Sequence, residues 1–175
     1  MSRTELTVEV EVLGRSLGQV SAIAPPATWQ RWVQIWLQAL SPTLSPIQAY
    51  ELSLQFTTDA DIAVLNGDYR QQDRPTDVLS FAGLDDAPWL PDVLAQIPYN
   101  LGDIVISVET AQRQCETHGH SLQAELAWLA AHGLLHLLGW DHPDELQLQA
   151  MWQQQRSLLA SVGIDLTDSA YRKDA

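Results

Sequence analysis

The chain has 175 residues, of which 46% are hydrophobic, and it carries a formal net charge of -13 at pH 7. This length and apolar content suit a single domain with its own core and exclude a disordered tail. The sequence has no apolar run of about 18 residues or more, so no membrane span is expected. The negative charge argues against a general nucleic-acid binder, because nonspecific affinity comes from cations that neutralise phosphates.

Cysteine use and the N-terminal pattern indicate the compartment and limit the metal ligands. Cys115 is the only cysteine, which excludes an internal disulfide and fits a reducing cytoplasm, so we expect a cytoplasmic protein. The N-terminal residues alternate between polar and apolar and lack the apolar block of a signal peptide. Because one thiol cannot build a multi-thiolate site, histidine, carboxylate and water are the expected ligands of any bound metal.

Hydrophobic periodicity predicts an α+β fold in a single domain, with a mixed sheet of about four strands and helices packed on it. The predicted elements are, in chain order, a strand over 4–13, a helix over 28–40, a strand over 50–56, a helix from a Thr58 cap to about Leu65, strands over 77–81 and 104–107, and helices over 109–117, from a Ser121 cap through His136, and from Pro143 to about Leu159. The helix over 28–40 has three tryptophans on its apolar face, a stripe that is typical of core packing.

Breaks in the periodicity predict the loops and the domain boundary. Asn66-Gly67 is expected to end the helix that begins at Thr58. Residues 83–99 contain three prolines and are expected to form a long surface loop. Residues 163–175 are expected to form a polar C-terminal tail, which leaves residues 1–162 as one domain.

The segment HGLLHLLGWDH contains His132, His136 and His142 and is the most informative part of the chain. His132 and His136 are four residues apart, so they project from one face of a helix. Gly139 is able to end that helix in a left-handed turn, after which the chain delivers His142 from outside the helix. Three imidazoles that converge in this way leave one position for water, the arrangement of a catalytic rather than a structural zinc.

The spacing of the histidines matches the zinc-peptidase signature H-E-x-x-H-x-x-G-x-x-H except at Gly133, where the peptidase has its catalytic glutamate. The metal-binding frame is therefore present, and the peptidase's general base is missing. A helical pair of histidines alone is often a satisfied core or surface pair, but a third histidine after a glycine turn is much harder to obtain by accident. We interpret residues 1–162 as a single metal-dependent hydrolase domain.

Three segments of the chain, taken together, point to a family. They are LNGDYRQQDRPTDVLSF, LGDIVIS and ELAWLAAHGLLHLLGWDH. In this order and separation they resemble the YbeY family of bacterial metal-dependent endoribonucleases. The histidine segment is the most specific part of the resemblance.

The resemblance implies an activity, a cofactor and partners. It implies cleavage of single-stranded RNA, with roles in maturing the 3′ end of small-subunit ribosomal RNA and in ribosome quality control. It implies one zinc ion per chain, held by His132, His136 and His142, and it points to Arg70 as a residue needed for activity. The expected partners are single-stranded RNA, ribosomal RNA, and a ribosomal particle or ribosome-associated proteins.

Hydrolysis of a phosphodiester needs a nucleophile at neutral pH and a partner for the charge on the phosphoryl oxygens. Zinc lowers the pKa of its water from about 16 to about 7, and the Arg70 guanidinium is shaped to bind two phosphate oxygens at once. Asp141 is expected either to orient a ligand imidazole or to be a turn residue. Glu125, two helical turns before His132, is expected either to polarise a ligand or to be a carboxylate stabilised at a helix N-terminus.

Two other classes of protein stay open at this point. A zinc peptidase-like metallohydrolase shares the histidine frame, but Gly133 argues against it. A non-catalytic zinc-containing ribosome-associated factor is disfavoured by the open site, because structural zinc usually has four protein ligands. The metal itself also stays open, because three imidazoles accept nickel, cobalt or copper as well as zinc.

Overall fold

The computed structural model describes residues 4–83 and 91–166. In chain order its elements are β1 (Thr7–Leu13), α1 (Leu17–Ser21), α2 (Pro26–Leu40), β2 (Ala49–Thr57), α3 (Asp59–Arg70), β3 (Val78–Ala82), α4 (Pro91–Leu94), β4 (Tyr99–Ser107), α5 (Val108–His118), α6 (Leu122–Leu137) and α7 (Glu145–Ser161). The strands form one sheet in the order β1-β2-β4-β3. The first three are parallel, and β3 is antiparallel to β4, which confirms the predicted α+β fold with a mixed sheet.

The tryptophan stripe of α2 is core packing, as predicted. Trp29 and Trp36 are fully buried, and the Trp29 ring lies 5.1 Å from the ring of Phe56 in β2. The indole N–H of Trp29 donates to the carbonyl of Ala24, and that of Trp36 donates to the carbonyl of Leu158 in α7. These hydrogen bonds satisfy polar atoms that would otherwise be costly to bury.

Two glutamines of α2 occupy the outer edge of β1. The side chain of Gln30 accepts from the N–H of Val10 at 2.8 Å and donates to the carbonyl of Val8 at 2.6 Å. Gln34 accepts from the N–H of Val8 at 3.1 Å and donates to the carbonyl of Leu6. An open strand edge is a template for pairing with another chain, so α2 blocks this one with side-chain amides.

The central element is α6, whose apolar residues surround the helix almost completely. It packs on β3 and β4 on one side and on α5 and α7 on the others. A helix that is apolar on nearly all sides is stable only when it is buried. This burial is what gives the histidines of α6 defined positions beneath the sheet edge.

The prediction that α3 ends at Asn66-Gly67 is wrong, because the helix continues through Arg70. Asn66 and glycine are poor helix formers, but Asn66 is buried and its amide donates to the carbonyl of Arg74 at 2.9 Å. Gln71 then ends the helix in the left-handed conformation, with φ of 53°. The tertiary anchor outweighs the local preference and places Arg70 in a helical last turn.

The sheet also extends beyond its predicted limits. β4 begins at Tyr99 rather than at residue 104, because Tyr99 pairs with Tyr50 in β2 and Asn100 with Glu51. The predicted loop over 83–99 therefore contains the short helix α4 and the first residue of a strand, while its residues 84–90 lie outside the described residues.

Near the C-terminus, the packed structure passes residue 162. Leu166 is buried, and Ile164 packs against the core. Residues 167–175 of the expected tail lie outside the described residues, and the division at residue 162 stays a prediction. No helix in the described ranges is both long enough and apolar enough to cross a membrane.

Candidate metal centre

His132, His136 and His142 converge on one point at the end of α6. The Nε2 atoms of His132 and His136 are 3.0 Å apart. The ring centroid of His142 lies 5.5 Å from that of His132 and 5.2 Å from that of His136. One ring nitrogen from each residue lies within 4.8 Å of the other two, so the three side chains form a metal-binding group.

Gly139 produces the turn that brings His142 back to the helix. It has φ of 95°, a conformation that residues with a Cβ rarely adopt. Its N–H donates to the carbonyl of His136, and the N–H of Trp140 donates to the carbonyl of Leu135, both at 3.0 Å. These two bonds form a Schellman motif, and the predicted left-handed end of the helix is confirmed.

The donor set fits a divalent metal ion. Nitrogen ligands at about 2.0–2.1 Å from a tetrahedral zinc lie about 3.3 Å from one another. The separation of 3.0 Å between the His132 and His136 nitrogens is close to that value. All three histidines are partly buried rather than enclosed, which leaves space at the site for a further ligand.

The environment favours the neutral, metal-binding form of the His132 and His136 imidazoles. Burial lowers the pKa of His132 to about 4, and the nearby His136 and His142 rings act in the same direction. Burial also lowers the pKa of His136, followed by the effect of the His142 ring. Since protons compete with metal for imidazole nitrogens, these directions favour metal binding at neutral pH.

Gln155 of α7 orients His132, a role that sequence reasoning missed. Its Nε2 donates to the carbonyl of Trp128 at 3.2 Å, so its Oε1 faces the Nδ1 atom of His132, also at 3.2 Å. An amide oxygen can only accept, so Nδ1 carries the proton and Nε2 presents its lone pair to the centre. Gln155 follows two other glutamines in the chain, and only the packing of α7 on α6 distinguishes it.

The expected residues Asp141 and Glu125 lie in different places. Asp141 lines the groove above the histidines and accepts a hydrogen bond from the N–H of His142 at 2.8 Å. Glu125 is not grouped with these histidines, because its carboxylate meets His118 and His120 at the other end of α6. Whether Asp141 supports the metal ligands stays a prediction.

The histidines line a groove of about 680 Å³ that Arg70 also lines. Arg70 is exposed at the end of α3, and none of the salt bridges among the described residues includes it. Its positive charge contributes to the low pKa of His136. The outer wall is β3, from Val78 to Ala82. The groove therefore presents a metal-binding group and an available guanidinium to the same space.

At Gly133, α6 lies close against the sheet. A Cβ built there would lie 2.7 Å from Cγ2 of Ile104 and 3.2 Å from Oγ of Ser80. The Ser80 hydroxyl also donates to the Gly133 carbonyl at 3.2 Å. At the position where zinc peptidases have their glutamate, the sheet therefore leaves no space for a side chain.

The fold and the histidine group define an α+β protein with a metal-binding centre in an open groove. The profile of the family described as Endoribonuclease YbeY matches residues 18–163. A relative named Endoribonuclease YbeY from Nostoc sp. is 53% identical over 150 residues, covering 85% of this chain and 81% of the relative. A relative of the same name from Acaryochloris marina is 50% identical over 160 residues, covering 91% and 89%.

The chain belongs to the YbeY endoribonuclease family, which confirms the resemblance found in its sequence. A solution structure of a Thermotoga maritima protein has the same fold, with a TM-score of 0.57, 21% identity, and coverage of 88% of this chain and 89% of that one.

We expect the metal-free protein to lose stability as the pH falls from about 6.5 towards about 4. The pKa of His132 is lower in the folded than in the unfolded chain, so between these values the unfolded chain binds more protons. This residue alone then reduces the free energy of unfolding by up to about 1.4 kcal/mol per pH unit. Chemical denaturation of chelator-treated protein at a series of pH values measures the slope. His132→Ala should flatten it, and equal slopes in both proteins would contradict the assignment.

Gly133→Ala should destabilise the protein by about 1–3 kcal/mol, because the new methyl group overpacks the contact with Ile104. Gly133→Glu should destabilise it more and should not create zinc-dependent casein cleavage. Gly18→Ala is the matched control, because a Cβ at Gly18 meets no atom within 4 Å. Casein cleavage by the Gly133→Glu protein would show that the exclusion of a peptidase is wrong.

Proposed function

We propose that this chain is a metal-dependent endoribonuclease that cuts single-stranded RNA in the groove between α3 and α6, and that it acts in maturing the 3′ end of small-subunit ribosomal RNA and in ribosome quality control. The observation that carries the proposal is that three converging imidazoles and an arginine without a salt bridge among the described residues line the same groove, in a chain of the YbeY endoribonuclease family. Cleavage of RNA follows from the family; the strand preference, the metal and the ribosomal role are our proposal.

We propose zinc, one ion per chain, as the metal held by His132, His136 and His142. The three imidazole nitrogens and the space beside them suit an ion that keeps one position for water. Zinc in such a site lowers the pKa of a bound water from about 16 to about 7 and acts as a Lewis acid. Gln155 supports this assignment because it sets the tautomer of His132.

Arg70 is proposed to bind the phosphate that is cleaved. Its guanidinium carries two N–H groups that match two phosphoryl oxygens, and no carboxylate among the described residues competes for it. Because it lines the same groove as the histidines, it would hold the phosphodiester and stabilise the charge that builds up on its oxygens.

Asp141 is proposed to position the third ligand. Its Oδ1 accepts the N–H of His142 at 2.8 Å, which holds the turn after Gly139 in one conformation. Its carboxylate also favours the protonated form of His136. Gly133 provides no base. Asp141 is a carboxylate that lines the groove and directly precedes His142 in the chain. We assign it a positioning role.

An aromatic wall next to Arg70 supports the preference for single strands. The ring of Tyr69 lies 4.9 Å from that of Phe81, both residues line the groove, and Tyr69 is 65% exposed. Exposed rings beside a phosphate-binding group are suited to stack on bases. A base is able to stack in this way only when it is unpaired, so the wall would select single strands.

The acidic surface supports a partner that presents the RNA. The net charge of -13 leaves few cations to neutralise phosphates, so free RNA should bind weakly. A ribosomal particle or a ribosome-associated protein would supply the remaining affinity and would place one strand in the groove. Arg70 and the metal would then act on RNA that is already positioned.

The proposal is tested first through the metal. His132→Ala should lose both the ion that dialysed wild-type protein retains and the cleavage of an unstructured RNA, while keeping its helical content, because alanine is a good helix former. Elemental analysis, circular dichroism and assays on unstructured and duplex RNA, with and without chelator, give the answer. Cleavage that survives chelation and the substitution would refute a metal-dependent nuclease. Metal bound with no cleavage by wild type, alone or with ribosomal particles, would favour the non-catalytic factor.

Arg70→Ala should reduce the cleavage rate by about a hundredfold or more with unchanged metal content, because a preorganised charge donor is lost. Arg70→Lys should recover only part of the rate, since lysine keeps the charge but not the two-pronged geometry. Arg74→Ala is the matched control, an exposed arginine in the following loop that does not line the groove. A wild-type cleavage rate in Arg70→Ala would show that Arg70 is a solvated surface residue without a role in cleavage.

Tyr69→Ala should weaken the binding of single-stranded RNA by about 1–3 kcal/mol, the usual contribution of one stacked base. Tyr69→Phe should behave like wild type, because it keeps the ring and its contact with Phe81. The comparison of KM and kcat for a short unstructured RNA measures the effect, which should appear mainly in KM. Equal KM values for the alanine and phenylalanine proteins would argue against stacking.

A further inference from the structure

A second group of metal-ligating side chains lies at the opposite end of α6, outside the groove. His118 is the last residue of α5, His120 follows in the connecting turn, and Glu125 is in the first turn of α6. One donor atom from each residue lies within 4.8 Å of the other two. The mechanism proposed above uses none of these three residues.

The carboxylate of Glu125 is the buried centre of this group. Its side chain has an exposed fraction of 0%, against 9% for His120 and 20% for His118. Both imidazoles approach the same oxygen, Oε2: His118 Nδ1 at 3.3 Å, and His120 Nε2 in a direct hydrogen bond. A buried carboxylate is costly unless cations or hydrogen-bond donors compensate it, and here two potential metal ligands provide the compensation.

The backbone holds the three residues in place. Gly119 ends α5 with φ of 74°, and the N–H groups of Gly119 and His120 both donate to the carbonyl of Cys115. Ser121 then caps α6 by accepting the N–H of Ala124 at 3.1 Å. Two helix ends joined by so short a turn leave the imidazoles little freedom, so the donor atoms are arranged before any ion arrives.

We propose that His118, His120 and Glu125 form a second binding site for a divalent transition-metal ion such as Zn²⁺. Two imidazoles and one carboxylate are a ligand set that zinc accepts with one position left for water. The 3.3 Å between His118 Nδ1 and Glu125 Oε2 equals the separation expected for two ligands of a tetrahedral zinc, about 3.3 Å. Exposure of His118 provides the route of entry and the place for water.

Binding at this site exchanges protons for the ion. The ion replaces the hydrogen bond between His120 and Glu125 by one bond to each residue. The ligating ring nitrogen must carry no proton: in a neutral imidazole the proton moves to the other ring nitrogen, and a doubly protonated imidazole releases one proton to solvent. Because that hydrogen bond must open, the second site should bind more weakly than the centre in the groove. An ion there would link the end of α5 to the start of α6.

The two sites are related through α6. Glu125 precedes His132 by seven residues, or about 10 Å along a helix. An ion at the second site therefore reinforces the same helix that carries His132 and His136, without reaching the groove. We assign it a scaffold-stabilising role, which holds whether or not the groove cleaves RNA.

Calorimetric titration of the metal-free full-length chain with Zn²⁺ tests the proposal. Wild type should bind two ions per chain, one of them more weakly. His132→Ala should keep only the weaker ion and should still melt at a higher temperature in Zn²⁺ than in chelator. Glu125→Gln, which keeps the shape of the buried side chain, should lose the weaker ion and keep the tighter one. His118→Ala changes the most exposed member of the group and should do the same.

Three results would overturn the second site. One is a single ion bound by wild type and none by His132→Ala, which would show that His118, His120 and Glu125 form hydrogen bonds and bind no metal. Another is a second ion that persists in both Glu125→Gln and His118→Ala, which would place that ion elsewhere. The third is a second ion in wild type that His132→Ala removes together with the first. If only the groove site failed to bind metal, the result would differ. Wild type would then bind a single ion, and Glu125→Gln would lose it.

Discussion

The close packing of α6 against the sheet at Gly133 is the constraint on which the rest of the site depends. A side chain at that position would meet Ile104 at less than van der Waals distance, so only glycine lets the helix come this near to β4. This close packing sets the distance between α6 and the sheet, and therefore the position of His132 and His136 relative to β3. The groove exists because a helix bearing two ligands lies this close to a strand at the edge of the sheet.

The burial of α6 also explains why its polar side chains His132 and Glu125 have hydrogen-bond partners. His132 is held by Gln155, and Gln155 in turn is held by the carbonyl of Trp128. Glu125 is held by His118 and His120. In an apolar setting each unsatisfied group would cost about 1–3 kcal/mol, so these contacts select one rotamer for each side chain. Rigid ligands are what a metal site of defined geometry needs.

The charge of the groove differs from that of the chain as a whole. The chain as a whole is acidic, yet the groove contains Arg70 with no carboxylate bound to it among the described residues. Charges more than about 8 Å apart are largely screened at physiological salt, so a single arginine acts locally despite the surface. In the proposed function, Arg70 would bind one phosphate while the acidic surface would bind a long polyanion poorly, as suits an enzyme that receives its strand from a larger assembly.

Part of this protein follows from local rules, and those rules were sufficient for the fold class and the histidine frame. Strand alternation, the tryptophan stripe of α2, the cap at Ser121 and the turn at Gly139 each depend on neighbours within a few residues, so spacing alone predicts them. The i, i+4 histidines and the following glycine belong to the same class, and they lie in the most specific of the three segments that carry the family resemblance. The Arg70 assignment came from that resemblance alone.

What remained was decided by burial and by contacts that the periodicity of the sequence does not predict. α3 runs past Asn66-Gly67 because Asn66 is buried against Arg74, and β4 starts early because β2 lies beside it. Gln155 reaches His132 only when α7 packs on α6, and the Glu125 carboxylate contacts His118 and His120 and is not grouped with the three histidines of the groove. Local sequence determined which elements form and which residues are able to bind metal. Tertiary packing decided which side chains meet, because the free energy of burying a polar group depends on partners that spacing along the chain does not reveal.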